Sequence, residues 1–76
     1  MSLLESIVPQ RRRIDQIRPR EGDRLRVYFP GGREPRVMVA TGNREDEAKT
    51  HEMRDEDGGT TEWVPGWFVA THLRGG

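Results

Sequence analysis

Between Arg24 and Phe29 the chain alternates. Leu25, Val27 and Phe29 are interleaved with Arg24, Arg26 and Tyr28, the period of two that a strand with one buried and one solvated face requires. The turn-forming run Pro30-Gly31-Gly32-Arg33-Glu34-Pro35 follows, and Arg36-Val37-Met38-Val39-Ala40-Thr41 predicts the returning strand of a hairpin. Upstream the period is longer. Leu3, Ile7, Ile14 and Ile17 approximate one helical stripe with Arg11, Arg12, Arg13 and Arg18 facing elsewhere, and Ser2 with Glu5 forms a minimal capping box. The pattern predicts one or two amphipathic helical pieces over residues 3–18, interrupted at Pro9 and ended by Pro19-Arg20-Glu21-Gly22-Asp23.

After the hairpin the signals conflict. Asn43 is placed to cap a helix with Glu45, Asp46 and Glu47 in its first turn, a Glu45/Lys49 pair four apart, and a stop at Gly58-Gly59. Its apolar residues, Ala48 and Met53, are five apart and share no strong face, so such a helix gains little from packing. The expectation is a solvated acidic excursion over about 42–59, with a helical turn or two. Beyond it, Thr60-Thr61-Glu62-Trp63-Val64 has strand-forming residues, Pro65-Gly66 breaks the run, and residues 67–73 suit a last strand. Trp63, Trp67 and Phe68 carry most of the aromatic area and are expected to supply much of the core.

These elements make a mainly β chain with a basic, helical N-terminal arm at 1–21 and a small β-rich domain at 22–74. The alternative is an α+β arrangement of hairpin, helix and third strand. At 76 residues, 32% apolar and without cysteine, the chain has room for one thin core that no disulfide reinforces. A protein partner or a second copy is the expected supplement. No apolar run approaches the roughly 20 residues needed to cross a bilayer, and the first eight residues are too short and too acidic for a secretory signal. The expectation is a cytoplasmic protein with no membrane association.

Charge is sorted along the chain. From Gln10 to Arg36 nine arginines face four carboxylates, a net of +5, and from Val37 to Glu62 three cations face eight carboxylates, a net of −5. The formal zero therefore hides a dipolar molecule, which bears on association and partners rather than on fold. Of the basic residues only Lys49 is not arginine. Either arginine-favouring codons or a need for planar guanidinium forks, which suit phosphate and carboxylate, accounts for this.

No site for chemistry assembles from these residues. His51 and His72 are the only imidazoles; His51 sits in a charged stretch where a solvated ring is expected, and His72 abuts the last strand. The runs Glu45-Asp46-Glu47 and Asp55-Glu56-Asp57 have the composition of solvated surface, whereas paired catalytic carboxylates need burial to separate their pKa values. A calcium-loop frame over Asp55, Asp57 and Gly58 puts Met53 and Val64 where carboxylate ligands belong, and His51-Glu52 lacks the second histidine of a zinc-protease helix. Gly31-Gly32 and Gly58-Gly59 lack the lysine and hydroxyl residue of a phosphate loop. The expectation is no enzyme, no cofactor, no metal and no small-molecule substrate.

Gly22-Asp23-Arg24-Leu25 leading into a first strand, then a hairpin, a polar excursion, and Trp63-Val64-Pro65 with Leu73 a few residues on, resembles the sequence rhythm of SH3-like small β-barrels over roughly residues 22–74. In that superfamily a strand ending in Val-Pro commonly runs through a short helical turn into a last apolar-bearing strand. The resemblance implies a binding module for peptides, other subunits or nucleic acid, with Tyr28, Trp63, Trp67 and Phe68 as the candidate aromatic surface. The basic residues Arg11, Arg12, Arg13, Arg18 and Arg20 complete the candidate contact. The expected function is an adaptor that docks within a larger complex through that arm and surface. Two alternatives stand beside it: nucleic-acid binding through the arginines, and a modifier, because Leu73-Arg74-Gly75-Gly76 resembles the diglycine terminus of ubiquitin-like proteins.

Overall fold

The computed structural model describes residues 10–73. Strands β1 (Arg11–Arg13), β2 (Arg24–Tyr28), β3 (Arg36–Glu45), β4 (Thr50–Asp55), β5 (Thr61–Pro65) and β6 (Val69–Leu73) form one sheet in the order β1-β6-β2-β3-β4-β5, and helix α1 (Ile14–Ile17) follows β1. All pairings are antiparallel. The chain is therefore mainly β, and its last strand returns between β1 and the first strand of the hairpin. Among the described residues no helix is long and apolar enough to cross a membrane.

The hairpin forms as the alternation predicts. Leu25 and Val27 are buried while Arg26 between them is exposed. On β3, Met38 and Ala40 face the same interior, with Met38 opposite Leu25 on one side and Asp55 on the other. β3 is ten residues long because it serves two partners, and it bends where it changes from one to the other. Ala40 pairs with Met53 and Arg44 with His51, so β3 advances four residues where β4 advances two. This bulge contains Gly42 at φ +93°, where a side chain would be strained and a Cβ would press on the Glu21 side chain at 3.1 Å.

The acidic stretch is where the structure departs from the sequence reading. Residues 43–57 hold no helix, and the α+β alternative does not form; the excursion is instead the end of β3, a turn at 46–49 and strand β4. The physical reason is the one that weakened the helix. A helix could bury only Ala48 and Met53, whereas a strand brings His51 and Met53 to one face, both buried, and pairs its backbone on both sides. The capping residues serve the turn instead: Arg44 pairs with Asp46 at 3.2 Å, and Lys49 adopts φ +53°.

The N-terminal arm is also less helical than its stripe predicts. Residues 3–9 lie outside the described residues, and Arg11–Arg13 is strand, paired with Val69, Ala70 and Thr71 on the free edge of β6. Only Ile14–Ile17 is helix. It starts with Arg13 N–H donating to Gln16 Oε1 at 3.4 Å and stops at Arg18, whose φ is +53° and whose N–H donates to the Ile14 carbonyl, just before Pro19. Ile14 and Ile17, three apart, still share a face: Ile14 is fully buried and Ile17 packs against the core.

The core is Ile14, Leu25, Val27, Met38, Ala40, Met53, Val64 and Ala70, with Ile17, Phe29 and Phe68 against it. It holds neither tryptophan. Val64 points inward, so its neighbour Trp63 on the edge strand points out and is 48% exposed, and Trp67 in the following turn is 59% exposed. Aliphatic residues and methionine, one or two from each element but β1, replace the aromatic core expected from bulk alone.

Gly66 draws the two edges of the sheet together. Its N–H donates to the Lys49 carbonyl at 2.8 Å, and its carbonyl accepts from Asp15 N–H at 2.9 Å, so one residue after β5 links the start of β4 to α1. Ile14 N–H adds a bond to the Phe68 carbonyl at 2.9 Å. Elsewhere Arg36 ties the basic half to the acidic half: its guanidinium pairs with Glu62 and with Asp55 at 3.4 Å, and lies 4.8 Å from the Phe29 ring centroid.

Candidate functional site

Antiparallel register decides which arginines stand together. Arg11 and Arg26 lie opposite Thr71 from either side, Arg13 and Tyr28 lie opposite Val69, and Arg24 lies opposite Leu73 and Val39, which in turn faces Arg54. Residues directly opposite one another share a face of a sheet. Arg11, Arg13, Arg24, Arg26 and Arg54 therefore project from one outer face spanning β1-β6-β2-β3-β4, with Tyr28 among them. Neighbours on one strand are about 7 Å apart and arginines two strands apart about 10 Å.

The face is positive and mostly unneutralised. Arg24 is paired with Glu56 through Nε at 2.5 Å and a second nitrogen at 3.3 Å, and the carboxylate in turn holds the guanidinium more firmly protonated and cationic. Arg11, Arg13, Arg26 and Arg54 form no ion pair among the described residues. On the other flank, Glu52 shares Arg54's face two residues away, where it accepts from Thr41 Oγ1 and Asn43 Nδ2, both at 2.8 Å. Those two bonds, Asn43 first, hold the Glu52 carboxyl below its ordinary pKa. The basic field thus ends at β4.

Tyr28 stands at one end of this face, in one row with Arg13 across Val69. Its hydroxyl accepts from Thr71 Oγ1 at 3.4 Å, and the Arg11 guanidinium carbon lies 4.2 Å from its ring centroid, inside cation–π range. Its phenol is held below the ordinary value, first by the Thr71 hydrogen bond and then by a bond from Arg26 and the charges of Arg11 and Arg26.

The candidate residues read from the sequence do not all meet here. Arg11, Arg13 and Tyr28 do. Arg12 alternates to the other side of β1, opposite Ala70. Arg18 ends α1 and Arg20 lies in the connection to β2, where its N–H donates to Asp23 Oδ2 at 2.9 Å. Phe68 is half-buried and makes edge contacts with Phe29 and Trp67, the centroids 5.7 and 4.5 Å apart. Trp63 stands on β5 opposite Glu52, beyond the acidic border. The residues the sequence reading left out are Arg24, Arg26 and Arg54. The alternation Arg24-Leu25-Arg26-Val27-Tyr28 held the signal for the first two, since residues two apart on a strand must share a face.

His51 corrects a second expectation. It is 5% exposed rather than solvated, and its Nε2 lies 2.9 Å from Asp15 Oδ1. A Cβ at Gly66 would collide with that same carboxylate, so glycine there leaves room for the pair. The pair fastens α1 to β4. It borders two open clefts of about 360 and 390 Å³ whose walls mix Arg44 and Lys49 with Asp15, Glu45, Asp46 and Glu52. Cations and carboxylates stand together there, with Asp46 paired to Arg44 and Glu52 held by Thr41 and Asn43. Among the described residues no group of three or more histidines and carboxylates is disposed to hold a metal ion.

Compared with protein-family models, with curated proteins and with solved structures, the chain matches none.

Proposed function

We propose that the chain is a non-enzymatic binding module of the SH3-like barrel class that docks a polyanionic partner on the outer face of β1-β6-β2-β3-β4. The observation that carries this reading is the gathering of Arg11, Arg13, Arg26 and Arg54 on one face without an ion pair among the described residues. Such a field raises the local concentration of an oppositely charged partner and accelerates docking. The barrel class is supported by Val64-Pro65 ending β5, a tight turn, and a last strand that returns onto the first strand of the hairpin. A second reading, docking within a protein complex through aromatic anchors, is favoured by the exposure of Trp63 and Trp67.

Retention on immobilised heparin tests the first reading, because a chain of zero formal charge binds only through a local cluster. The expected outcome is retention at low salt that Arg11→Ala/Arg13→Ala/Arg26→Ala abolishes and Arg18→Ala/Arg20→Ala leaves nearly unchanged. Equal retention of the wild type and the triple variant overturns it.

A further inference from the structure

We infer that the polyanion is a nucleic acid, held by its phosphodiester backbone across Arg11, Arg13, Arg26 and Arg54 with Tyr28 beside Arg11 and Arg26. The inference rests on the reading of this face as the docking surface and adds the chemistry of the occupant. Protein interfaces are organised round a desolvated apolar core with aromatic anchors. Among the described residues the large exposed apolar side chains are Trp63 and Trp67; Trp63 shares this outer face only at its border, on β5 opposite Glu52, while the apolar members among the arginines, Val37, Val39, Val69 and Leu73, are half-buried. A polar, strongly positive surface whose exposed aromatic residue stands at its border rather than at its centre is the composition of a nucleic-acid interface.

The chemistry of the donors agrees. Each of the four cations is an arginine, whose planar fork grips two phosphate oxygens at once. Arg11 and Arg13 stand about 7 Å apart along β1, and Arg11 and Arg26 about 10 Å apart across β6, spacings suited to a regularly charged polymer. Tyr28 adds a hydroxyl and an aromatic ring already engaged by Arg11. Nothing on this face is aimed to read base edges, so binding is set by backbone charge and is indifferent to sequence.

Fluorescence anisotropy with a labelled mixed-sequence duplex, the corresponding single strand and poly-glutamate of matched charge tests this. With about four phosphate contacts, the logarithm of the binding constant is expected to fall against the logarithm of salt with a slope of roughly −3.6 for the duplex and −2.8 for the single strand. Arg11→Ala/Arg13→Ala/Arg26→Ala is expected to lower that slope by about 2 to 3, and Arg26→Lys, which keeps the charge, to retain it. Whichever of duplex and single strand binds more tightly is the favoured source of the backbone. Poly-glutamate binding as tightly as both nucleic acids overturns the phosphate assignment and leaves the docking face standing. The same holds for heparin retention without nucleic-acid binding, whereas loss of both removes the face as well. Thermal melts of the variants that match the wild type tie any loss to contact rather than to unfolding.

Discussion

The basic and acidic halves carry equal and opposite charge in sequence, yet they spend it differently. Of the eight carboxylates between Val37 and Glu62, five are engaged within the molecule: Asp46 by Arg44, Glu52 by Thr41 and Asn43, Asp55 and Glu62 by Arg36, and Glu56 by Arg24. Of the nine arginines between Gln10 and Arg36, only Arg24 and Arg36 form ion pairs among the described residues. The acidic half is therefore largely committed to contacts within the molecule, and the basic half is left to face outward. Formal neutrality understates the positive charge open to a partner.

Removing a side chain from each half separates these roles. Met53 lies in the acidic half and is fully buried against the core, so Met53→Ala is expected to destabilise the fold by about 2 to 5 kcal/mol. Arg26→Ala, exposed on the docking face, is expected to change stability by less than about 0.5 kcal/mol. Urea denaturation of both variants checks the contrast. If they cost the same, the acidic strand is not part of the core and the division between halves fails.

The second break is at the closure. A Cβ at Gly66 meets the Asp15 carboxylate that His51 holds, so Gly66→Ala must displace Asp15 or the turn, at an expected cost of about 1 to 3 kcal/mol. Asp15→Ala removes both the obstacle and the partner of a buried imidazole, with an expected cost of about 1 to 3 kcal/mol of its own. Together they should cost clearly less than the sum, because Gly66→Ala has nothing to strike once Asp15 is gone. A double-mutant cycle with additive costs would show that the pair does not occupy the space glycine leaves.

How much of this was legible follows from which partner decides each element. Leu25 and Val27 could be placed from their own neighbours, because alternation is local and the hairpin returns at once. β1 could not: Arg11–Arg13 extends only because β6, almost sixty residues later, offers a free edge. β4 was hidden for a related reason. His51 and Met53 do alternate with Thr50, Glu52 and Arg54, but two inward residues in a charged run weigh less than a well-formed set of helix caps until β3 and β5 flank them. The tryptophans were misplaced by size. Parity with Val64 turns Trp63 outward whatever its hydrophobicity, and only the register of an edge strand reveals it. For the candidate face the sequence supplied Arg11, Arg13 and Tyr28 as separate signals, and the pairing of β6 between β1 and β2 brought them together with Arg26.

The smallest effect is the most local reading of that face. Tyr28 is the single tyrosine of the chain, so the phenolate absorbance of the folded protein follows it alone. Its pKa is lowered by the Thr71 hydrogen bond, then by Arg26 and Arg11, and the titration is expected with a midpoint below the ordinary value of about 10. A depressed folded value means that this group stabilises the fold as the phenolate: the contribution is absent below the folded midpoint and grows as pH rises through it towards the unfolded value. Thr71→Val is expected to move the midpoint upward the most, and Arg11→Ala or Arg26→Ala by less. A phosphate backbone seated beside the hydroxyl also opposes the phenolate, so saturating nucleic acid at low salt should raise the midpoint, and poly-glutamate that does not bind should leave it in place. A midpoint unmoved by Arg11→Ala and Arg26→Ala together would show that the guanidinium groups stand farther from Tyr28 than the 4.2 Å contact of Arg11 with its ring requires.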